Sequence, residues 1–132
     1  MLDMMKNSTS KLGFELDVHW IHRAGVNPVD LIRQYAGRIS LIHLKDYRIG
    51  QLDVNTDDFK DMGKFFEKFT NTIQFAELGE GNLDMRAIIE AGLESGAQYF
   101  LVEQDELYGR DPFDCLETSA THLRNLGFAD WF

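Results

Sequence analysis

The chain has 132 residues, 44% of them hydrophobic and 12% aromatic, with a formal net charge of -9 and a pI near 4.7. That length holds one domain with a core of its own. The acidic balance repels phosphate backbones and argues against nucleic acid; small sugars, or a cation held by carboxylates, fit the charge better.

Cys115 is the one cysteine, so no internal disulfide can form and a reducing compartment is expected. The opening MLDMMKNSTSKLG has neither a long apolar segment nor a small-residue cleavage site. No run approaches the ~20 apolar residues of a membrane span. The expectation is a soluble, cytoplasmic protein with no membrane partner.

In chain order, residues 2–10 read as the end of a helix entering a first strand at 13–18 (GFELDV). Asn27-Pro28 opens a helix, as cap and first-turn proline, with Val29, Ile32 and Ala36 at helical spacing and Gly37 closing it. A second strand follows at 39–44 (ISLIHL), then a loop at 47–56. Asp57 or Asp58 is expected to cap a helix through Phe59, Met62, Phe65, Phe66 and Phe69, whose spacing marks a core face. Residues 72–78 (TIQFAEL) form a third run of strand length. A helix from Asp84 to Gly96 presents Met85, Ile88, Ile89 and Leu93. The fourth strand is 99–103 (YFLVE). The last helix begins at Asp111-Pro112, presents Phe113, Leu116, Ala120, Leu123 and Leu126, and stops before Gly127.

This β-α alternation predicts four βα units with parallel strands and right-handed crossovers. Alternation alone fits an open Rossmann-like layer or part of a barrel. Either way, ligands gather at the C-terminal ends of the strands. There the sequence places Asp17, His43, Glu77 and Glu103. An Asp, a His and a Glu on separate strands form a mixed oxygen–nitrogen set suited to Mn²⁺, Mg²⁺, Co²⁺ or Zn²⁺. The same residues could equally serve as loop anchors.

Three stretches carry a family resemblance: FELDVHWIHRAGVNP at 14–28, GRISLIHLKD at 37–46, and AELGEGNLD at 76–84 with YFLVEQD at 99–105. In that order and spacing they resemble the fifth to eighth strands of the xylose-isomerase-like TIM-barrel superfamily, in its sugar phosphate isomerase/epimerase branch. The resemblance implies a partial TIM barrel, with residues 1–132 as a single domain forming the C-terminal half of a (β/α)8 barrel of roughly 250 residues. It implies a divalent metal held by Asp17, His43 and Glu103, with Glu103 also the catalytic base. The reaction implied is proton transfer next to the carbonyl of a sugar or sugar phosphate, through an enediolate. The family's glutamate on the fourth strand has no counterpart in these residues.

Substrate contacts are expected from His19, Trp20, Lys45 and Arg48. Three of the four have a structural alternative: packing for His19, a core position for Trp20, and a salt bridge with Asp46 or a neighbouring strand end for Lys45. His19 stands where strand alternation would turn it away from the position of a family substrate contact three residues after the Asp. Gly79-Glu80-Gly81-Asn82 reads as a tight turn rather than a phosphate cradle, because Glu80 would repel an anion. Glu77 could support a ligand or anchor that turn, and Gln104 or Asp105 could orient one. His22 and His122 read as surface or helix residues, and Cys115 as packing.

Half a barrel leaves sheet edges and a core face uncovered, which points to a homodimer. Two alternatives to an active isomerase or epimerase stand beside it. One is a truncated, non-catalytic chain that keeps the fold. The other is the superfamily's metal-dependent abasic-site endonuclease branch, which calls for more metal ligands and a less acidic surface.

Overall fold

The computed structural model describes residues 2–131. Among the described residues there are five strands: β1 (Phe14–Asp17), β2 (Ile39–Leu44), β3 (Asp46–Ile49), β4 (Ile73–Ala76) and β5 (Tyr99–Val102). The α-helices are α1 (Leu2–Ser8), α2 (Val18–Arg23), α3 (Pro28–Gln34), α4 (Met62–Thr70), α5 (Met85–Glu94) and α6 (Pro112–Leu123).

The expected parallel sheet forms, as three strands in the order β1-β2-β5. The fold is a partial α/β barrel. The run at 72–78 departs from the expected parallel arrangement. Its strand β4 does not lie between β2 and β5; it pairs antiparallel with β3, in register Asp46↔Ala76 through Ile49↔Ile73. The reason lies in the stretch read as a loop from Tyr47. Asp46–Ile49 is extended backbone whose N–H and C=O groups need partners, and the returning 73–76 run supplies them. The ladder continues past the strands, with the Gly50 N–H donating to the Thr72 carbonyl at 2.6 Å.

Side-chain alternation divides the parallel sheet into two unlike faces. Phe14, Leu16, Ile39, Ile42 and Leu44 turn toward the helices and are buried with Ile32, Tyr35, Ile88, Ile89 and Leu123. Helix α5 lies directly on the sheet. A Cβ on Gly92 would come within 2.7 Å of the Ile42 methyl and the Phe100 ring, so only glycine fits. The opposite face carries Glu15, Asp17, Leu41, His43, Tyr99, Leu101 and Glu103, and is largely bare. Tyr99 is 60% exposed and Leu101 44%.

Helix starts follow their caps. Asn27, Asp84 and Asp111 each accept backbone N–H bonds at the expected positions, and Gly37, Gly96 and Gly127 adopt the positive φ that ends a helix. The phenylalanine-rich segment is different. Asp58–Lys60 forms a 3-10 turn, and Asp61, not Asp57 or Asp58, caps α4. Phe59 of the turn and Met62, Phe66 and Phe69 of α4 are exposed rather than core, because no described element covers that face. Helix α6 likewise buries Cys115, Ser119 and Leu123 and leaves Phe113 and Leu116 exposed. No described helix is long and apolar enough to cross a membrane.

Candidate metal centre at the strand ends

Strand register brings the site together. Asp17 ends β1 opposite His43 of β2, and Val102 pairs with Leu44, so Glu103 follows directly at the end of β5. The Glu103 N–H donates to the Leu44 carbonyl at 3.1 Å and fixes that position. One ligand atom each from Asp17, His43 and Glu103 then lies within 4.8 Å of the others.

Each of the three is oriented by a neighbour. Asp17 Oδ1 accepts from the Trp20 N–H at 3.0 Å, which caps α2 and leaves Oδ2 facing the site. His43 is held on both ring nitrogens: Nδ1 contacts Glu103 Oε2, and Nε2 contacts Glu15 Oε1. Glu15 was missed in the sequence. The signal was there, since Glu15 and Asp17 are two apart on one strand and so share a face.

Lys45 sits beneath the cluster at 3% exposure. Its ammonium lies 2.9 Å from Asp105 Oδ2, 3.0 Å from Glu103 Oε2 and 3.2 Å from Asp17 Oδ2. Burial lowers its pKa, but the hydrogen bonds to Asp105, Glu103 and Asp17 outweigh that and raise it above the ordinary lysine value. The hydrogen bond from Lys45 in turn holds the Glu103 carboxyl below the usual range, against burial, with His43 adding to the effect. Glu103 is therefore ionised near neutral pH.

The other expected contacts are placed as follows. Strand β1 stops at Asp17 and α2 begins at Val18, so strand alternation does not govern His19. Its ring is buried among Trp20, Tyr47 and Phe75, with centroids 4.8, 5.1 and 4.9 Å away, and neither nitrogen meets a partner among the described residues. Burial pushes its pKa down, against the raising effect of Asp17. Trp20 is half exposed beside it and is not a core residue. Arg48 turns to Gln74, at 3.2 Å, and to Glu80, at 3.8 Å. Asp105 accepts from Lys45 at 2.9 Å, and Gln104 donates to Glu77 at 3.3 Å.

Lys45 and Asp46 do not pair. The Asp46 carboxylate is wholly buried and accepts four backbone N–H groups: Tyr47 at 2.8 Å and Leu83 at 3.1 Å on Oδ1, and Gly79 and Gly81 at 3.2 Å each on Oδ2. The N–H groups of the Gly79–Leu83 turn thus cradle the protein's own carboxylate, in keeping with a turn rather than a phosphate site. A Cβ on Gly81 would stand 2.1 Å from Asp46 Oδ1. Glu77 is a turn anchor, outside the cluster. It accepts from Arg110 at 2.6 Å, and Arg110 also reaches Glu80 at 2.7 Å. His22 meets the Tyr47 hydroxyl at 2.7 Å, and Cys115 is buried against Glu77.

One imidazole and two carboxylates from three strand ends, open on one side, fit a divalent cation. The chemistry of the donors suits a hard or borderline metal, and the Lys45 ammonium shows that the same oxygens already attract a cation.

No protein-family model matches the chain. The chain is 29% identical over 103 residues to inosose dehydratase from Lacticaseibacillus casei and to the same enzyme from strain BL23. That match covers 78% of this chain and 33% of each relative, so the chain spans about a third of the length of the curated relatives it matches. A solved sugar phosphate isomerase/epimerase from Parabacteroides distasonis ATCC 8503 superposes with a TM-score of 0.57 at 24% identity, over 89% of this chain and 32% of that one. The chain is thus similar in sequence to part of inosose dehydratase, and its fold matches part of a solved sugar phosphate isomerase/epimerase.

Proposed function

We propose that this chain is the metal-binding C-terminal half of a sugar or sugar phosphate isomerase/epimerase-like enzyme. The observation that carries the reading is the convergence of Asp17, His43 and Glu103 at three adjacent strand ends. Asp17, His43 and Glu103 would hold the metal, which when bound supplies charge stabilisation for an enediolate. Glu103, ionised beside Lys45, takes the proton from the carbon next to the substrate carbonyl. In this reading Trp20, half exposed beside Asp17, offers a wall for a sugar ring; His19 is buried behind it, and Arg48 would have to leave Gln74 and Glu80 to meet a substrate oxygen. Isomerisation, epimerisation and dehydration of a keto sugar can all begin with this proton removal, so the reading accommodates both kinds of relative.

The bare face of the sheet, with Tyr99 and Leu101 exposed, is best covered by a second copy in a homodimer. The described residues provide one glutamate placed as a base, which also supports a second reading: a chain that binds metal and performs no turnover alone.

Isothermal titration with Mn²⁺ tests the metal site. Binding heat is expected for the wild type, lost in Asp17→Ala and much reduced in Glu103→Gln. Equal, negligible heats in all three proteins would remove the site. Exchange of the substrate proton with solvent deuterium across a panel of keto sugars separates the two readings, since the non-catalytic chain gives none.

A further inference from the structure

We propose that Lys45 is a built-in cation that occupies the metal site's carboxylates and yields them to a divalent metal by retreating onto Asp105; this rests on the metal-site reading above. Three observations lead to it. First, Lys45 holds the oxygens that a metal would use. Asp17 has one oxygen committed to the Trp20 N–H, and Lys45 takes the other at 3.2 Å. On Glu103, the oxygen that faces His43 is also the one bonded to Lys45, at 3.0 Å. Second, the ammonium is buried, so it cannot simply turn into solvent. Third, its shortest bond, 2.9 Å, goes to Asp105, a carboxylate outside the Asp17–His43–Glu103 group. That gives the ammonium a place to remain paired when a metal claims the other two.

Two consequences follow from electrostatics alone. Without a metal, Lys45 neutralises clustered carboxylates that would otherwise repel one another. With a metal, its positive charge opposes the incoming dication, so the lysine lowers affinity and keeps the site exchangeable. Lys45 is a positioning and tuning residue in this proposal; it needs no contact with substrate.

The experiment is Mn²⁺ titration calorimetry, with thermal melting in EDTA and in saturating Mn²⁺, on the wild type, Lys45→Met, Asp105→Asn and Asp17→Ala. Lys45→Met is expected to bind Mn²⁺ at least about tenfold more tightly, because a like charge close to the dication has gone. It should also melt lower than wild type in EDTA and gain more from Mn²⁺. Asp105→Asn is expected to bind several-fold more weakly, since the ammonium then has only the metal's own carboxylates to pair with. This second variant carries the test if Lys45→Met folds poorly in EDTA. Unchanged or weaker binding in Lys45→Met, or unchanged binding in Asp105→Asn, overturns the proposal while wild-type binding abolished by Asp17→Ala leaves the metal site standing. No binding in any of the four proteins overturns both.

Discussion

Replacing Asp46 by asparagine changes one oxygen for an amide nitrogen and almost nothing in shape. The carboxylate accepts four backbone N–H groups, two on each oxygen, and is fully buried. An asparagine can keep the pair on one side, Tyr47 and Leu83 or Gly79 and Gly81. Its NH₂ then points donor-to-donor at the other two. Hydrogen bonds to a charged acceptor contribute about 1.5–3 kcal/mol each, and an orphaned buried donor costs about 1–3 kcal/mol. The turn N–H groups are only partly buried and can recover water, and the four losses do not add fully. A net destabilisation of about 3 kcal/mol is expected, with Asp46→Ala at least as severe. For a chain of this size that corresponds to a fall in Tm of about 10 °C. Urea unfolding followed by tryptophan fluorescence measures the stability change. Hydrogen exchange at Gly79, Gly81 and Leu83 should accelerate before the β1-β2-β5 sheet opens. A melting temperature for Asp46→Asn within about 2 °C of wild type would refute the view that a four-acceptor carboxylate organises this turn.

Two further outcomes follow from the bare sheet face. Glu15→Ala should weaken Mn²⁺ binding about tenfold with little change in melting, because Glu15 orients the His43 ring from an exposed position; calorimetry showing wild-type affinity would dismiss that role. Size-exclusion chromatography with light scattering should give twice the 15.2 kDa chain mass, and a stable, monodisperse monomer would end the homodimer reading.

Much of the fold was legible because strand and helix periods differ and the caps are strong. The runs at 39–44 and 99–103 and the caps at Asn27, Asp84 and Asp111 required only local rules. The misreadings arose where tertiary contacts decide. The stretch from Tyr47 looked like a loop, and its strand character appears only when Ile73–Ala76 pairs with it. The phenylalanines of α4 have core spacing, but spacing says nothing about whether another element comes to cover them. His19 was judged by strand alternation, and the Asp17 side chain ended the strand by starting a helix. At the site, the identity of the three strand-end residues was readable one by one. Their meeting depends on β2 pairing directly with both β1 and β5, and the roles of Glu15 and Asp105 depend on that meeting.

Lys45 and Asp46 are neighbours in the chain with opposite charges and opposite surroundings. The ammonium enters a ring of carboxylates, and the carboxylate enters a ring of N–H groups. A slip of one residue in one direction would put the ammonium among the N–H groups, and a slip in the other would put the carboxylate among the carboxylates. The pair therefore works as a proofreading mark at the end of β2: it penalises misalignment in either direction. Insertion or deletion of a single residue between His43 and Asp46 should consequently be far less tolerated than its position beside a chain turn would suggest.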